Sequence, residues 1–227
     1  MKHLPKSAPA STEILLQRCQ QMAGQTVAEL ARQENLYIPK DLKQSKGWVG
    51  QLIECHLGAS ASNTAQPDFV ELGIELKTLP LGADGLPRES TYVCTVPLAP
   101  NQMGSWQDSW LRQKLSRVLW VPVEADPAIP LAERTVGNAI LWQADEQQLQ
   151  VLRQDWEELT EMICLGQLEK ITSHHGHYLQ IRPKAANAKA LCPATDEEGN
   201  RCMTLPRGFY LRTQFTRQIL QQNYAIC

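Results

Sequence analysis

The chain has no apolar run approaching the roughly 18 to 20 residues that a membrane-crossing helix requires. Its opening, MKHLPKSAPASTE, holds no apolar stretch of the kind a secretory signal carries. Both absences point to a soluble protein of the cytoplasm. There is no Cys-x-x-Cys pair: Cys19, Cys55, Cys94, Cys164, Cys192, Cys202 and Cys227 are odd in number and scattered. Such spacing disfavours a disulfide framework and a zinc site alike, so they read as reduced thiols. Internal repeats and low-complexity tracts are also missing, which leaves a single domain as the expectation. What is present suits one: 227 residues, of which 43% are hydrophobic, supply a large core without the composition of a disordered chain.

Net charge is only −2, but the charges are segregated. Between Asp145 and Glu169 seven acids (Asp145, Glu146, Asp155, Glu157, Glu158, Glu161, Glu169) stand against one base, Arg153. Between Arg182 and Arg217 seven bases (Arg182, Lys184, Lys189, Arg201, Arg207, Arg212, Arg217) stand against Asp196, Glu197 and Glu198. The basic tract can supply phosphate contacts while the acidic one forms a solvated helix face. The same pattern also reads as ordinary surface charge.

Pattern and punctuation give the elements. After a loose opening of ten residues, Ser11 caps a helix whose Ile14, Leu15, Leu16 and Met22 gather into an apolar stripe. A second helix follows Thr26, and a third runs from about Gly47 to Leu57 and stops at Gly58. Ile74, Leu76 and Thr78 alternate with Glu75, Lys77 and Leu79, a strand. Asp84-Gly85 centres a turn, and Thr91 to Val96 reads as the antiparallel return strand. A helix near Trp106 to Arg117, strands at VLWVPVE and AILW, the acidic helix, a strand at YLQIRP and a terminal helix complete an α/β or α+β arrangement.

The chemistry concentrates between Pro67 and Lys77. Residues i and i+2 of a strand share a face about 6.6 Å apart, at roughly 3.3 Å of rise per residue, so Glu75 and Lys77 project together. A bend over Phe69 to Gly73 can bring Asp68 beside Glu75. Two close carboxylates repel unless a cation lies between them, and a hard ion such as Mg²⁺ takes that kind of oxygen set. Lys77 can then orient a water or stabilise charge on a phosphate, which suits phosphodiester hydrolysis. Glu54, a single carboxylate in the apolar run QLIECHL, could bind metal, hydrogen-bond Lys77 or hold a second ion. A Glu-x-Lys pair on a strand equally describes a solvated ion pair, and Asp after Pro is a common turn residue.

Pro67-Asp68 followed by Glu75-x-Lys77 resembles the PD-(D/E)xK nuclease signature. The segments KGWVGQLIE, LGASA, LGIELKTLP, VLWVPVE, DWEELTEMI, YLQIRPKAANAKAL and TLPRGFYL, spread from about Gln25 to Phe215, are similar to the MutH family of methyl-directed mismatch-repair endonucleases. The resemblance implies an α/β, restriction-endonuclease-like fold, a mixed sheet flanked by helices. It further implies one nuclease domain over residues 1–227, with two lobes forming a DNA cleft, lobe 1 over about 11–105 and lobe 2 over about 106–227. Its implied activity is Mg²⁺-dependent nicking of the unmethylated strand at hemimethylated GATC by a monomer, activated by MutL acting with MutS. It makes Asp68 and Glu75 metal ligands, Lys77 the catalytic lysine and Glu54 an accessory acid. Lys46 and Lys114 would contact DNA backbone. Tyr92 stands where the family more often has Phe, a ring that inserts at or stacks on the site. Arg182, Pro183 and Lys184 match a base-reading loop, and Tyr210 matches the residue that senses adenine methylation. Arg and Lys donors suit guanine O6 and N7, and a phenol beside adenine N6 would meet an added methyl group.

Two other functions use the same residues: a GATC restriction endonuclease cutting both strands, and a non-catalytic sequence-specific DNA-binding protein. His174, His175 and His177 around Gly176 read as exposed polar residues rather than a metal site. The six tryptophans read as packing.

Overall fold

The structure, a computed structural model, describes residues 6–40, 45, 47–61, 66–185, 187 and 189–224. Two compact units interleave along the chain: residues 1–88 with 117–143, and residues 89–116 with 144–227. The units therefore do not follow the chain order expected for the lobes, because the chain leaves the first unit near Arg88 and returns to it at Arg117.

In the first unit, α1 (Thr12–Met22), α2 (Val27–Gln33) and α3 (Trp48–Leu57) accompany a three-stranded sheet in the order β1-β3-β4, of β1 (Glu75–Leu81), β3 (Val118–Glu124) and β4 (Ile140–Trp142). β1 and β3 are parallel, with Glu75 opposite Val118 and Lys77 opposite Trp120, while β3 and β4 are antiparallel. The helices begin where the sequence supplies caps. Ser11 Oγ accepts from Ile14 N, and Thr26 with Glu29 forms a reciprocal capping box. The stripe that α1 buries is Leu15, Cys19 and Met22, at i, i+4 and i+7, whereas Ile14 is 40% exposed. These side chains join Leu30, Leu52, Ile53, Leu57, Ile74, Leu76, Leu119 and Val121 in one core. That core takes one face of the sheet, so the alternate positions Glu75 and Lys77 fall on the other.

Thr91 to Val96 is not the return strand of β1. The Asp84-Gly85 turn does close on itself, with Gly82 N donating to Leu86 O and a bridge between Leu81 and Pro87. Arg88 N closes the bridge by donating to Pro80 O at 3.0 Å, and from Glu89 the chain belongs to the second unit. Instead β2 (Thr91–Thr95) belongs to the second unit and pairs with β8 (Arg207–Leu211), which also pairs with β5 (Leu179–Pro183), in the order β2-β8-β5, all antiparallel. The ATDEEGN turn joins a separate hairpin of β6 (Cys192–Thr195) and β7 (Arg201–Thr204). The helix expected over Trp106 to Arg117 is only α4 (Trp110–Lys114), and α5 (Glu146–Cys164) and α6 (Thr213–Asn223) complete the unit. Helices flanking a mixed sheet agree with the α/β expectation. No described helix is long and apolar enough to cross a membrane.

Candidate active site and recognition face

The Pro67–Lys77 segment folds as a small closed loop. Phe69 and Ile74 form an isolated antiparallel bridge, with Phe69 N donating to Ile74 O and Ile74 N to Phe69 O. Between them lies a 3-10 turn ending at Gly73, whose φ of 61° is left-handed and suits glycine. The closure carries Asp68 back to β1, where its Oδ2 accepts from Leu76 N at 2.7 Å. Asp68 is held at its other end too, because Ser60 N and Ala61 N donate to its carbonyl at 2.9 and 3.2 Å. One residue before Leu76, Glu75 is 2% exposed, and Lys77 Nζ donates to its Oε1. Arg117 braces the bend from behind: its carbonyl accepts from Glu75 N at 3.0 Å and its guanidinium donates to Leu72 O at 3.3 Å.

The seven-residue separation of Asp68 and Glu75 thus becomes adjacency at the start of β1, with Lys77 directed at the same glutamate. Glu54 lies half-buried on α3, the helix that packs on β1. Among the described residues no three His, Cys, Asp or Glu side chains converge to hold an ion by themselves. A cation here would rest on the Asp68 and Glu75 oxygens, completed by backbone and water. That all-oxygen, two-carboxylate set fits a small hard divalent ion.

A second constellation sits on the β2-β8-β5 sheet. Tyr92 is registered with Tyr210, and Arg182 with Gly208. Tyr210 and Gly208 share a face of β8, being two residues apart. The face is therefore Tyr92, Gly208, Tyr210 and Arg182, and Lys184 follows β5 anchored by its N–H on Pro206 O at 2.7 Å. The tyrosine rings meet edge to face with centroids 5.4 Å apart. Lys184 Nζ lies 3.1 Å from the Tyr92 centroid, and the Arg182 guanidinium 5.7 Å from that of Tyr210. A bulge in β2 puts Tyr92 and Thr95 on one side, joined by a 3.1 Å hydroxyl–hydroxyl hydrogen bond. Burial, with Tyr92 beside it, raises the Tyr210 phenol above its ordinary value, against the opposing pull of Arg182. The phenol therefore stays neutral.

Five of the residues singled out from the sequence, Tyr92, Arg182, Pro183, Lys184 and Tyr210, meet here, and Arg182, Pro183 and Lys184 are exposed. Lys46 lies outside the described residues. Lys114 is only 6% exposed, which runs against a surface contact with phosphate. The acidic helix is not wholly a solvated face either. Asp155 is buried and accepts from His177, Tyr178 and Leu179 N at 2.7, 2.6 and 2.8 Å, fixing the entry to β5. Ser90, which accepts from Arg182 Nη1 at 2.8 Å, and Gly208 were not marked by sequence reasoning. A Cβ at Gly208 would stand 2.8 Å from the Tyr92 ring and 3.1 Å from that of Tyr210. Neither residue has a motif; only sheet register exposes its role. Trp110 is 54% exposed, so not every tryptophan is packing. A cavity of about 600 Å³ in this unit, walled by Val96, Leu98, Leu111, Trp156 and Phe209 among others, is lined by none of the five residues Tyr92, Arg182, Pro183, Lys184 and Tyr210.

Comparison with known proteins now decides the family. A sequence model described as "DNA mismatch repair enzyme MutH" matches residues 57–155. The DNA mismatch repair protein MutH of Shewanella baltica (strain OS185) is 54% identical over 217 residues, covering 96% of this chain and 97% of its own. The chain belongs to the MutH family. Proteins of the same name from Citrobacter koseri and from Escherichia coli O127:H6 are each 52% identical over 220 residues, 97% of this chain and 96% of theirs. Membership makes the chain a DNA mismatch-repair endonuclease, and both residue sets described above lie on a chain matched to MutH proteins almost from end to end.

Proposed function

We propose that this chain, acting as one nuclease domain, nicks the unmethylated strand of hemimethylated GATC sites in cytoplasmic DNA by divalent-metal-dependent hydrolysis, with Mg²⁺ as the ion and MutL, engaged through MutS, as activator. The observation that carries the reading is the closed loop that sets Asp68 on the backbone of β1 beside Glu75, with Lys77 aimed at that glutamate. Asp68 and Glu75 hold the ion. When bound, it supplies charge neutralisation and a water of lowered pKa. Lys77 contributes a positive charge fixed at the reaction centre, which stabilises the charge that develops on phosphate oxygens. Glu54, on the helix beside them, serves as an accessory acid.

Recognition falls to the other face. Arg182 and Lys184 are exposed donors suited to guanine edges, Pro183 shapes their loop, and Tyr92 offers a ring for stacking. Tyr210, neutral and half-buried, meets adenine N6, where an added methyl group would collide. Lys46 contributes a backbone contact. The protein works as a monomer and cuts slowly alone.

The test is plasmid nicking on unmethylated, hemimethylated and fully methylated GATC, with and without Mg²⁺ and MutL. The expected result is metal-dependent nicks, strongest with MutL, on the first two substrates only. Cutting of fully methylated DNA at the hemimethylated rate would remove the role of Tyr210. Nicking retained by Asp68→Ala would overturn the catalytic assignment, and linear product in place of nicks would make this a restriction enzyme.

A further inference from the structure

The opening of the chain, which its composition presents as a loose terminus, is fastened to the end of α3. Arg18 on α1 donates through Nη1 both to Ser7 O at 2.8 Å and to Leu57 O at 2.6 Å. One guanidinium therefore clips the N-terminal segment to the last turn of α3. Beside it Lys6 Nζ lies 3.3 Å from both ring nitrogens of His56 and 3.7 Å from Glu34 Oε1, and Pro9 is buried. At the crossing stands Gly58, left-handed at φ 83°. A Cβ there would meet Ser7 O at 2.5 Å, Arg18 Nη1 at 2.7 Å and Lys6 O at 3.1 Å. Glycine is required twice, by conformation and by space.

What leaves this crossing is the loop that holds Asp68. Gly58 N and Ala59 N donate to Glu54 O, and two and three residues beyond Gly58 the amides of Ser60 and Ala61 grip the Asp68 carbonyl. The route from the clip to the Asp68 backbone is three residues of main chain and a pair of hydrogen bonds, with no other side chain in it. We infer that Arg18, with the Lys6–Ser7 segment it clasps and Gly58 beneath them, is a positioning device for Asp68: it fixes the exit of α3, and so the height at which the Asp68 carboxylate meets β1. Arg18 touches no reacting atom. It acts through Leu57, Ser60 and Ala61. The inference rests on Asp68 being a metal ligand, as proposed above, only for its catalytic consequence. The mechanical coupling stands separately.

Arg18→Met keeps the stem of the side chain and removes both donors. In the metal-free protein, amide exchange at Ser60 and Ala61 is expected to quicken at least tenfold while Leu30 and Leu119 keep their wild-type rates. Unchanged exchange at Ser60 and Ala61, or equal acceleration at all four, overturns the coupling. Mn²⁺ affinity, titrated alongside with Asp68→Asn as the control, is expected to fall about tenfold in Arg18→Met and to vanish in the control. Wild-type Mn²⁺ binding by Asp68→Asn would overturn the metal reading and leave the exchange result to judge the clasp. Loss of binding in the control with full affinity in Arg18→Met would overturn the clasp as a determinant of the site. Should Arg18→Met fail to fold, Gly58→Ala opens the same crossing from its other side and is read by the same two measurements.

Discussion

His56 shows how one side chain can set the acid limit of a fold. It is 4% exposed on α3, and its Nδ1 lies 2.7 Å from the buried Glu34. Burial, then the nearby Lys6 ammonium and, more weakly, Arg18, hold its pKa below the ordinary 6.5 despite the attraction of Glu34; Cys55, hydrogen-bonded to Glu34, completes the cluster. The unfolded chain takes up this proton near 6.5 and the folded chain only at lower pH, so the unfolded state binds more protons across that interval and stability falls with acidification. The melting temperature should decline as pH drops from about 6.5, and His56→Gln should flatten that part of the profile; a wild-type profile equally flat would refute it. Asp155 makes a contrasting case. Its carboxylate satisfies three successive amides inside the protein, and Asp155→Asn turns an acceptor pair into a group with one acceptor. The expected cost is about 3 kcal/mol, read as a lower urea midpoint with unchanged slope. Tyr92→Phe removes the exposed bond to Thr95, so stability should change by no more than about 1 kcal/mol and DNA affinity by less than twofold, since the ring and its contact with Lys184 remain.

Among the elements, β8 governs the proposed recognition face, since it lies between β2 and β5 and sets the register of both. At Gly208 on that face even a Cβ would push against the two tyrosine rings. Gly208→Ala is expected to cost about 1–3 kcal/mol of stability through overpacking. It should also weaken binding to a GATC duplex more than to a scrambled one, measured by fluorescence anisotropy. Equal weakening on both would mean the rings do not read sequence. β3 shows a different balance. Its seven residues are buried almost throughout, yet include Pro122; β4 pairs only with Val118 to Trp120, and past it Pro122 O accepts from Gly137 N at 2.8 Å, so the missing N–H leaves that pair with a single hydrogen bond at the end of the sheet edge.

For the whole molecule, a net charge of −2 means that DNA binding must come from a local arrangement of bases and not from overall attraction. Each phosphate contact adds about −0.9 to the slope of log affinity against log salt. Lys184→Met should move that slope by less than about half of one contact's share while reducing the preference for GATC, because a base contact carries specificity and a phosphate contact carries salt dependence. A reduced slope with unchanged preference would reassign Lys184 to the backbone.

The order Pro67-Asp68, Glu75-x-Lys77 and the period-two alternation of β1 determined by themselves which residues share a face and which carboxylates could meet, since side-chain direction in a strand is a local property. The cap at Ser11 and the helix starts at Thr26 and Asp145 were equally legible, because capping is a short-range hydrogen bond. The partners of β1 and β2 were not. Strand pairing joins residues far apart in sequence, and nothing local distinguishes a hairpin return from a strand that crosses to another unit. Arg18, Ser90, Asp155 and Gly208 escaped for the same reason. Each acts on a group brought to it only by the tertiary fold, whether backbone, ring or guanidinium, and such a partner leaves no motif in the sequence.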